Sequence, residues 1–178
     1  MEYAVVTAIG PDRIGIMDRL AHAASSCGAN IEETRAAILG GEFAVIMLVT
    51  GQGGVAEALE PTMRAEGEAL GLSISIKKTN SPAQPKGLPY LIESISLDTP
   101  GIVLAISGLL KSRGINIEDL ESSVQPAPLS GSPMFLMRVG INLVPGENLI
   151  ILKEELAKIA KEYDLDIDVR PLKPTDIL

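Results

Sequence analysis

The chain has 178 residues, a net charge of −8 and an isoelectric point of about 4.7. Binding to nucleic acid requires basic residues that displace counterions from phosphates, and the sequence has no run rich in lysine or arginine, so we predict no direct contact with nucleic acid. A single cysteine excludes an intrachain disulfide, and no apolar run has the length of a membrane span, so we expect a cytoplasmic protein without membrane contact.

The first half of the chain predicts six elements in the order strand, helix, strand, strand, helix, strand. Asp12 is the predicted N-cap of the first helix, because its carboxylate could accept N–H groups that lack a partner in the first turn. Gly28 is the predicted end of that helix, and Gly40-Gly41 predicts a tight hairpin. The predicted strands are residues 3–9, 30–39, 43–49 and 72–76, and the second helix is residues 55–70.

The same order restarts after a linker of proline, glycine and polar residues. We predict a first domain over residues 1–79, a linker over 80–88 and a second domain over 89–178. Pro171 and Pro174 predict a surface tail. The segment 125–133 predicts a surface loop, either a tolerated insertion or a loop that contacts a ligand or partner. The predicted strands are residues 90–97, 115–124, 134–143 and 166–169, and the predicted helices are residues 101–112 and 147–163.

A repeat with a spacing of about 86 residues relates the two halves. The turn from Asp12 to Gly15 recurs as the turn from Asp98 to Gly101, and the residues that follow each turn also match. The repeat and the element order predict an α+β protein with two βαββαβ units, each with two helices on one face of an antiparallel sheet.

The repeated turn has the chemistry of a small receptor. Gly15 and Gly101 are expected in the first helical turn, where the missing side chain exposes unpaired N–H groups that attract an anion such as a carboxylate. Asp12 and Asp98 could each bind an ammonium group. Together these groups predict a site for an α-amino acid.

Asn30 and Asn116 are expected beside the same turns, where an amide could donate to one group and accept from another. Each feature also has an ordinary structural explanation: Asp as a helix cap, Gly for close packing and Asn for a turn. The recurrence of all three at one spacing in both halves favours the binding site.

Catalytic chemistry has little support in the sequence. His22 is the only histidine, and Cys27 occupies an apolar helical position, so neither a nucleophile–base pair nor a transition-metal cluster is predicted. The glycine-rich residues 51–54 lack the lysine that follows a phosphate-binding loop. We therefore predict no catalytic residue, no metal, no cofactor and no enzymatic activity.

Residues 10–16 with 28–31 resemble an ACT domain, and residues 98–102 with 114–117 resemble a second one. The resemblance implies a ferredoxin-like fold, pairing of modules through their sheets or helices, and amino-acid binding where modules meet. The two turns differ, because Arg13 corresponds to Thr99. The site residues that the resemblance implies are Asp12, Arg13, Ile14, Gly15 and Asn30 in the first domain, and Asp98, Thr99, Pro100, Gly101 and Asn116 in the second.

Two such domains without a catalytic domain resemble the glycine cleavage system transcriptional repressor group. That resemblance implies a sensor of glycine or a similar small amino acid that acts on gene expression through a transcription regulator. Exposed edge strands also predict a homodimer. The alternatives are a ligand-independent interaction module, a detached regulatory subunit whose partner is a metabolic enzyme, and, least favoured, an independent enzyme.

Overall fold

The computed structural model describes residues 1–81, 87–128 and 130–173. The chain divides into two units, unit 1 over Met1–Ala83 and unit 2 over Gln84–Leu178. The predicted linker, residues 80–88, lies partly outside the described residues, and its bounds stay a prediction.

Unit 1 has the predicted βαββαβ order. The four strands form one sheet in the order β2-β3-β1-β4, and every neighbouring pair is antiparallel. The nearly continuous apolar run of β3 therefore lies inside the sheet. The elements are β1 (Glu2–Pro11), α1 (Ile16–Ser26), β2 (Asn30–Leu39), β3 (Glu42–Gly51), α2 (Val55–Leu70) and β4 (Ser73–Thr79).

Unit 2 repeats this topology, with its sheet in the order β6-β7-β5-β8 and all pairs antiparallel. The predicted α+β class and the two split β-α-β units are confirmed. The elements are β5 (Leu88–Leu97), α3 (Ile102–Ser112), β6 (Ile117–Pro126), β7 (Pro133–Leu143), α4 (Leu149–Tyr163) and β8 (Asp166–Pro171).

Each unit has its own apolar core between the sheet and its two helices. In unit 1 the core side of β1 presents Ala4, Val6 and Ala8, which alternate with more exposed residues, as a sheet covered on one face requires. Leu20 of α1 and Leu59 of α2 are fully buried against this side. The helices are thereby fixed above the sheet, and the turn between β1 and α1 is held at the end of the interior strand β1.

The prediction that Asp12 caps α1 is wrong. The strand β1 continues through Pro11, and the helix begins at Ile16, so Gly15 is the N-cap residue. Gly15 has a left-handed backbone with φ of 91°, and no side chain caps the helix. The expected place of Gly15 and Gly101 within the first turn is also corrected, since both stand just before it.

The start of α2 is capped by a side chain that the sequence analysis did not assign. The Gly54 N–H donates to Glu2 Oε2 at 2.9 Å, and Lys78 Nζ lies 2.9 Å from Glu2 Oε1. The Gly54 hydrogen bond, followed by the Lys78 ammonium, holds the pKa of the Glu2 carboxyl below its ordinary value of 4.5. The first residues of β1 therefore fix the first turn of α2.

Two predicted irregular segments are shorter than expected. Pro171, placed in a surface tail, is the last residue of β8 and pairs with Tyr90, while Pro174 lies outside the described residues. The loop predicted over residues 125–133 is reduced because β6 extends to Pro126 and β7 begins at Pro133. Pro126 and Pro171 fit here because β6 and β8 are edge strands, where an N–H can be missing, and Pro133 fits as the first residue of its strand.

Candidate functional site

The turn between β1 and α1, which we call corner 1 (Asp12–Gly15), is open to solvent. Its four residues are exposed, and the Asp12 N–H donates to the Gly41 carbonyl at 3.0 Å, which fixes the corner against the β2–β3 hairpin. A methyl group added at Gly15 would meet no atom within 4 Å. Gly15 supplies no side-chain cap, so the N–H groups in the first turn of α1 receive no hydrogen bond from their N-cap residue.

The charges of corner 1 are unpaired. Arg13 is the one arginine without an acidic partner in the part of the chain that the structure describes, and no ion pair involves Asp12 there. The other arginines have carboxylate partners close by, namely Arg19, Arg35, Arg64, Arg113, Arg138 and Arg170. Corner 1 therefore offers one free cation, one free anion and a helix N-terminus, which together complement a zwitterion.

The equivalent turn of unit 2, corner 2 (Asp98–Gly101), has a similar backbone and different surroundings. The Asp98 N–H donates to the Pro133 carbonyl at 3.1 Å, and Gly101 has φ of 101° as the N-cap of α3. A methyl group at Gly101 would lie 3.4 Å from both Cε1 and Oη of Tyr163, the last residue of α4. Corner 2 is therefore narrower than corner 1.

Asn30 does not lie beside corner 1, contrary to the sequence expectation. Both β1 and β2 run antiparallel to β3, so their starts lie at the same end of the sheet, and Asn30 is aligned with Thr50 and through it with Tyr3. Asp12 follows the opposite end of β1. At about 3.3 Å per residue the two side chains are roughly 30 Å apart.

Asn116 likewise lies away from corner 2, contrary to the sequence expectation. It precedes Ile117, which aligns with Ile141 and through it with Tyr90, near the start of β5, whereas Asp98 follows the end of β5. The Asn116 amide donates to Glu118 Oε1 at 3.0 Å. Within one unit, therefore, neither asparagine can join the corner residues.

The structure shows an ion cluster at the far end of α3 that the sequence analysis missed. Arg113 donates to Glu147 and Glu155, with Nε–Oε1 and Nη1–Oε2 distances of 2.7 Å. At the matching place in unit 1, Cys27 Sγ donates to Thr62 Oγ1 at 3.4 Å. Both contacts join the C-cap residue of a unit's first helix to the second helix of that unit, so we assign them to packing.

Two buried hydroxyl groups were also missed. Ser94 and Ser96 face the core side of β5, on the same side as Ile92, and are 6% and 5% exposed. Neither Oγ has a hydrogen-bond partner among the described residues. The repeat places Ala8 and Gly10 at these positions in unit 1. The apolar pattern of unit 1 therefore gave no indication that unit 2 has polar residues there.

One other concave feature among the described residues does not resemble a site. A broad depression of about 480 Å³ on one face of α2 is lined by Glu57, Glu60, Pro61, Arg64, Ala65 and Glu68. Its arginine already donates to Glu60. The described residues contain no cluster of three metal-ligating side chains and no helix long and apolar enough to cross a membrane.

Comparisons with known proteins agree with the doubled fold. An ACT-domain family model matches residues 2–77. The glycine cleavage system transcriptional repressor of Escherichia coli K12 is 36% identical over 126 residues, covering 70% of this chain and 66% of the repressor. The chain thus spans about two thirds of the length of that curated relative.

Solved structures match over both units. A structure described as an unknown protein from Galdieria sulphuraria has a TM-score of 0.78 and 30% identity, covering 97% of this chain and 99% of that one. A protein provisionally identified as a glycine cleavage system transcriptional repressor has a TM-score of 0.70 and 25% identity, covering 97% and 98%. Residues 2–77 therefore match the ACT-domain family, unit 2 repeats the topology of unit 1, and the chain is similar to the glycine cleavage system transcriptional repressors.

Proposed function

We propose that this protein is a non-enzymatic sensor of glycine or a similar small amino acid, and that it passes the signal to a protein partner. The observation that carries the proposal is corner 1, where Asp12 and Arg13, which form no ion pair with any described residue, stand beside a helix N-terminus without a side-chain cap. The exposed corner and the free charges support binding from solvent.

The charges of an amino-acid ligand complement the groups of corner 1. Its carboxylate accepts from the first-turn N–H groups of α1 and from the Arg13 guanidinium, and its ammonium group donates to Asp12. Gly15 lets the ligand approach the backbone, because no side chain stands between them. Ile14, which is fully exposed beside these groups, borders the site with apolar surface.

A second copy of the chain can supply the missing asparagine. All residues of β2 except Ile31 are exposed, and β2 is an edge of its sheet. Antiparallel pairing of β2 with β2 of a second copy sets the start of one strand beside the end of the other. Asn30 of the second copy then lies near the β2–β3 hairpin, which is bonded to Asp12. We accordingly propose a homodimer with the site shared between copies.

The route to gene expression is proposed to be indirect. The chain has a net charge of −8, which disfavours direct contact with phosphates, and the related Escherichia coli protein is named a transcriptional repressor. We propose that the protein controls genes of glycine cleavage or related amino-acid metabolism by binding a transcription regulator.

Calorimetric titration with glycine and serine tests the sensing half. The wild type is expected to bind, and Asp12→Ala is expected to weaken binding by about tenfold or more, because a charge-assisted hydrogen bond is lost. Glu68→Ala, which removes an exposed carboxylate from α2, is the matched control and should leave binding unchanged. Absence of heat and of any thermal shift with every amino acid would contradict the proposal.

Mixing two variants with weakened sites tests the shared site. An equal mixture of Asp12→Ala and Asn30→Ala chains that exchange subunits should recover about one quarter of the sites, because each mixed dimer contains one intact site. No recovery would exclude the shared site. Affinity purification tests the partner: a transcription regulator supports the proposal, and a metabolic enzyme would instead favour a detached regulatory subunit.

A further inference from the structure

The two corners of the chain are not equivalent, although the repeat makes their backbones alike. We infer that only corner 1 takes the amino acid, and that Tyr163 makes corner 2 selective against it. The inference rests on the proposed function and assigns its specificity to a residue outside both turns.

The steric difference comes from the last residue of the second helix in each unit. In unit 2 that residue is Tyr163, whose ring edge and hydroxyl stand where a ligand would approach Gly101. Its counterpart in unit 1 is Leu70, which is buried in the core, and the space at Gly15 is open. Tyr163 is partly buried against the core of unit 2, and this packing fixes the position of its ring.

The charge difference acts in the same direction. Arg13 of corner 1 is replaced by Thr99, so corner 2 has the carboxylate of Asp98 and no arginine to balance it. A ligand carboxylate near this turn would meet a like charge without a compensating cation. Ile14 is replaced by Pro100, which removes one backbone N–H just before the helix. Compared with corner 1, corner 2 therefore has less space and fewer hydrogen-bond donors. It also lacks the arginine that would bind the carboxylate of a zwitterion.

Titration of the full chain with glycine and serine, followed by calorimetry, tests this assignment. The expected stoichiometry is one ligand per chain, with binding weakened by about tenfold or more in Asp12→Ala. Hydrogen exchange should show ligand protection in residues 12–20 and none in residues 98–106. Two equivalent sites per chain, or protection of residues 98–106, would overturn the assignment.

A gain of binding tests the role of Tyr163 directly. Tyr163→Leu, which copies Leu70, combined with Thr99→Arg should raise the stoichiometry from one to two. Tyr163→Phe with Thr99→Arg keeps the ring and should stay at one. If the ring-free variant also stays at one while remaining folded by circular dichroism, the role of Tyr163 is refuted. If the Leu variant unfolds, the stoichiometry and exchange pattern of the wild type still decide the assignment. A wild type that binds no amino acid would overturn the proposed function itself, which separates the two failures.

Discussion

Replacing the buried hydroxyls of β5 should stabilise unit 2. Ser94 and Ser96 are more than nine-tenths buried, and neither Oγ has a hydrogen-bond partner in the described part of the chain. A buried polar group without a partner costs about 1–3 kcal/mol. Alanine keeps the Cβ and removes only the hydroxyl, so we expect each of Ser94→Ala and Ser96→Ala to add about 1 kcal/mol to the free energy of unfolding. The double variant should add about 2 kcal/mol if the two sites act independently.

Urea denaturation of the full chain, followed by circular dichroism, measures the effect. A gain of 1 kcal/mol should also raise the midpoint of thermal unfolding by about 4–8 °C for a unit of this size. Ser122→Ala is the matched control, because Ser122 lies exposed on strand β6 of the same unit, and it should change stability by less than about 0.5 kcal/mol. A loss of stability in either buried variant would show that the hydroxyl makes a favourable hydrogen bond, and would refute the reasoning.

Three further substitutions test the packing and the caps. Gly10→Ala should destabilise unit 1 by about 1–3 kcal/mol in chemical denaturation, because the added methyl would lie 2.6 Å from the Gly71 carbonyl oxygen; an unchanged midpoint would contradict this close contact. The Glu2 carboxyl has a lowered pKa in the fold, so its contribution to stability is present above pH 4.5 and is lost as the pH falls through the folded pKa. Glu2→Gln should therefore flatten the acid limb of a stability–pH profile, and an identical limb would count against the Gly54 cap. Asn148→Ala should cost about 1 kcal/mol in denaturation, because Asn148 Oδ1 accepts from Ile150 N–H at 2.9 Å at the start of α4; an unaltered stability would show that this cap contributes nothing.

The local patterns of the sequence predicted the fold well. The period of two in the strands and the apolar face of the helices placed all twelve elements in the right order, and β2 and α2 begin and end at the predicted residues. Gly28 and Gly71 lie just beyond or at the ends of their helices with positive φ, as glycines there should. These features depend on neighbours within a few positions, which a sequence shows directly.

Features that depend on long-range geometry were harder to predict from the sequence. Asn30 was expected near Asp12 because both flank α1, but the parallel relation of β1 and β2 carries them to opposite ends of the sheet. Glu2 caps a helix that begins more than fifty residues later, and Tyr163 reaches Gly101 from the end of another helix. The periodicity of a sequence does not indicate such contacts, since they arise only when the elements pack.

Direct titration of the wild type and Asp12→Ala with glycine and serine tests the central proposal, that corner 1 binds a small amino acid. We predict saturable binding to the wild type, with about 2.7 kcal/mol of added stability at a ligand concentration 100 times the dissociation constant. The variant should bind about tenfold more weakly or worse, and at the same ligand concentration its added stability should be lower by about 1.3 kcal/mol or more. Equal binding by the two proteins, or none by the wild type, would contradict the proposal.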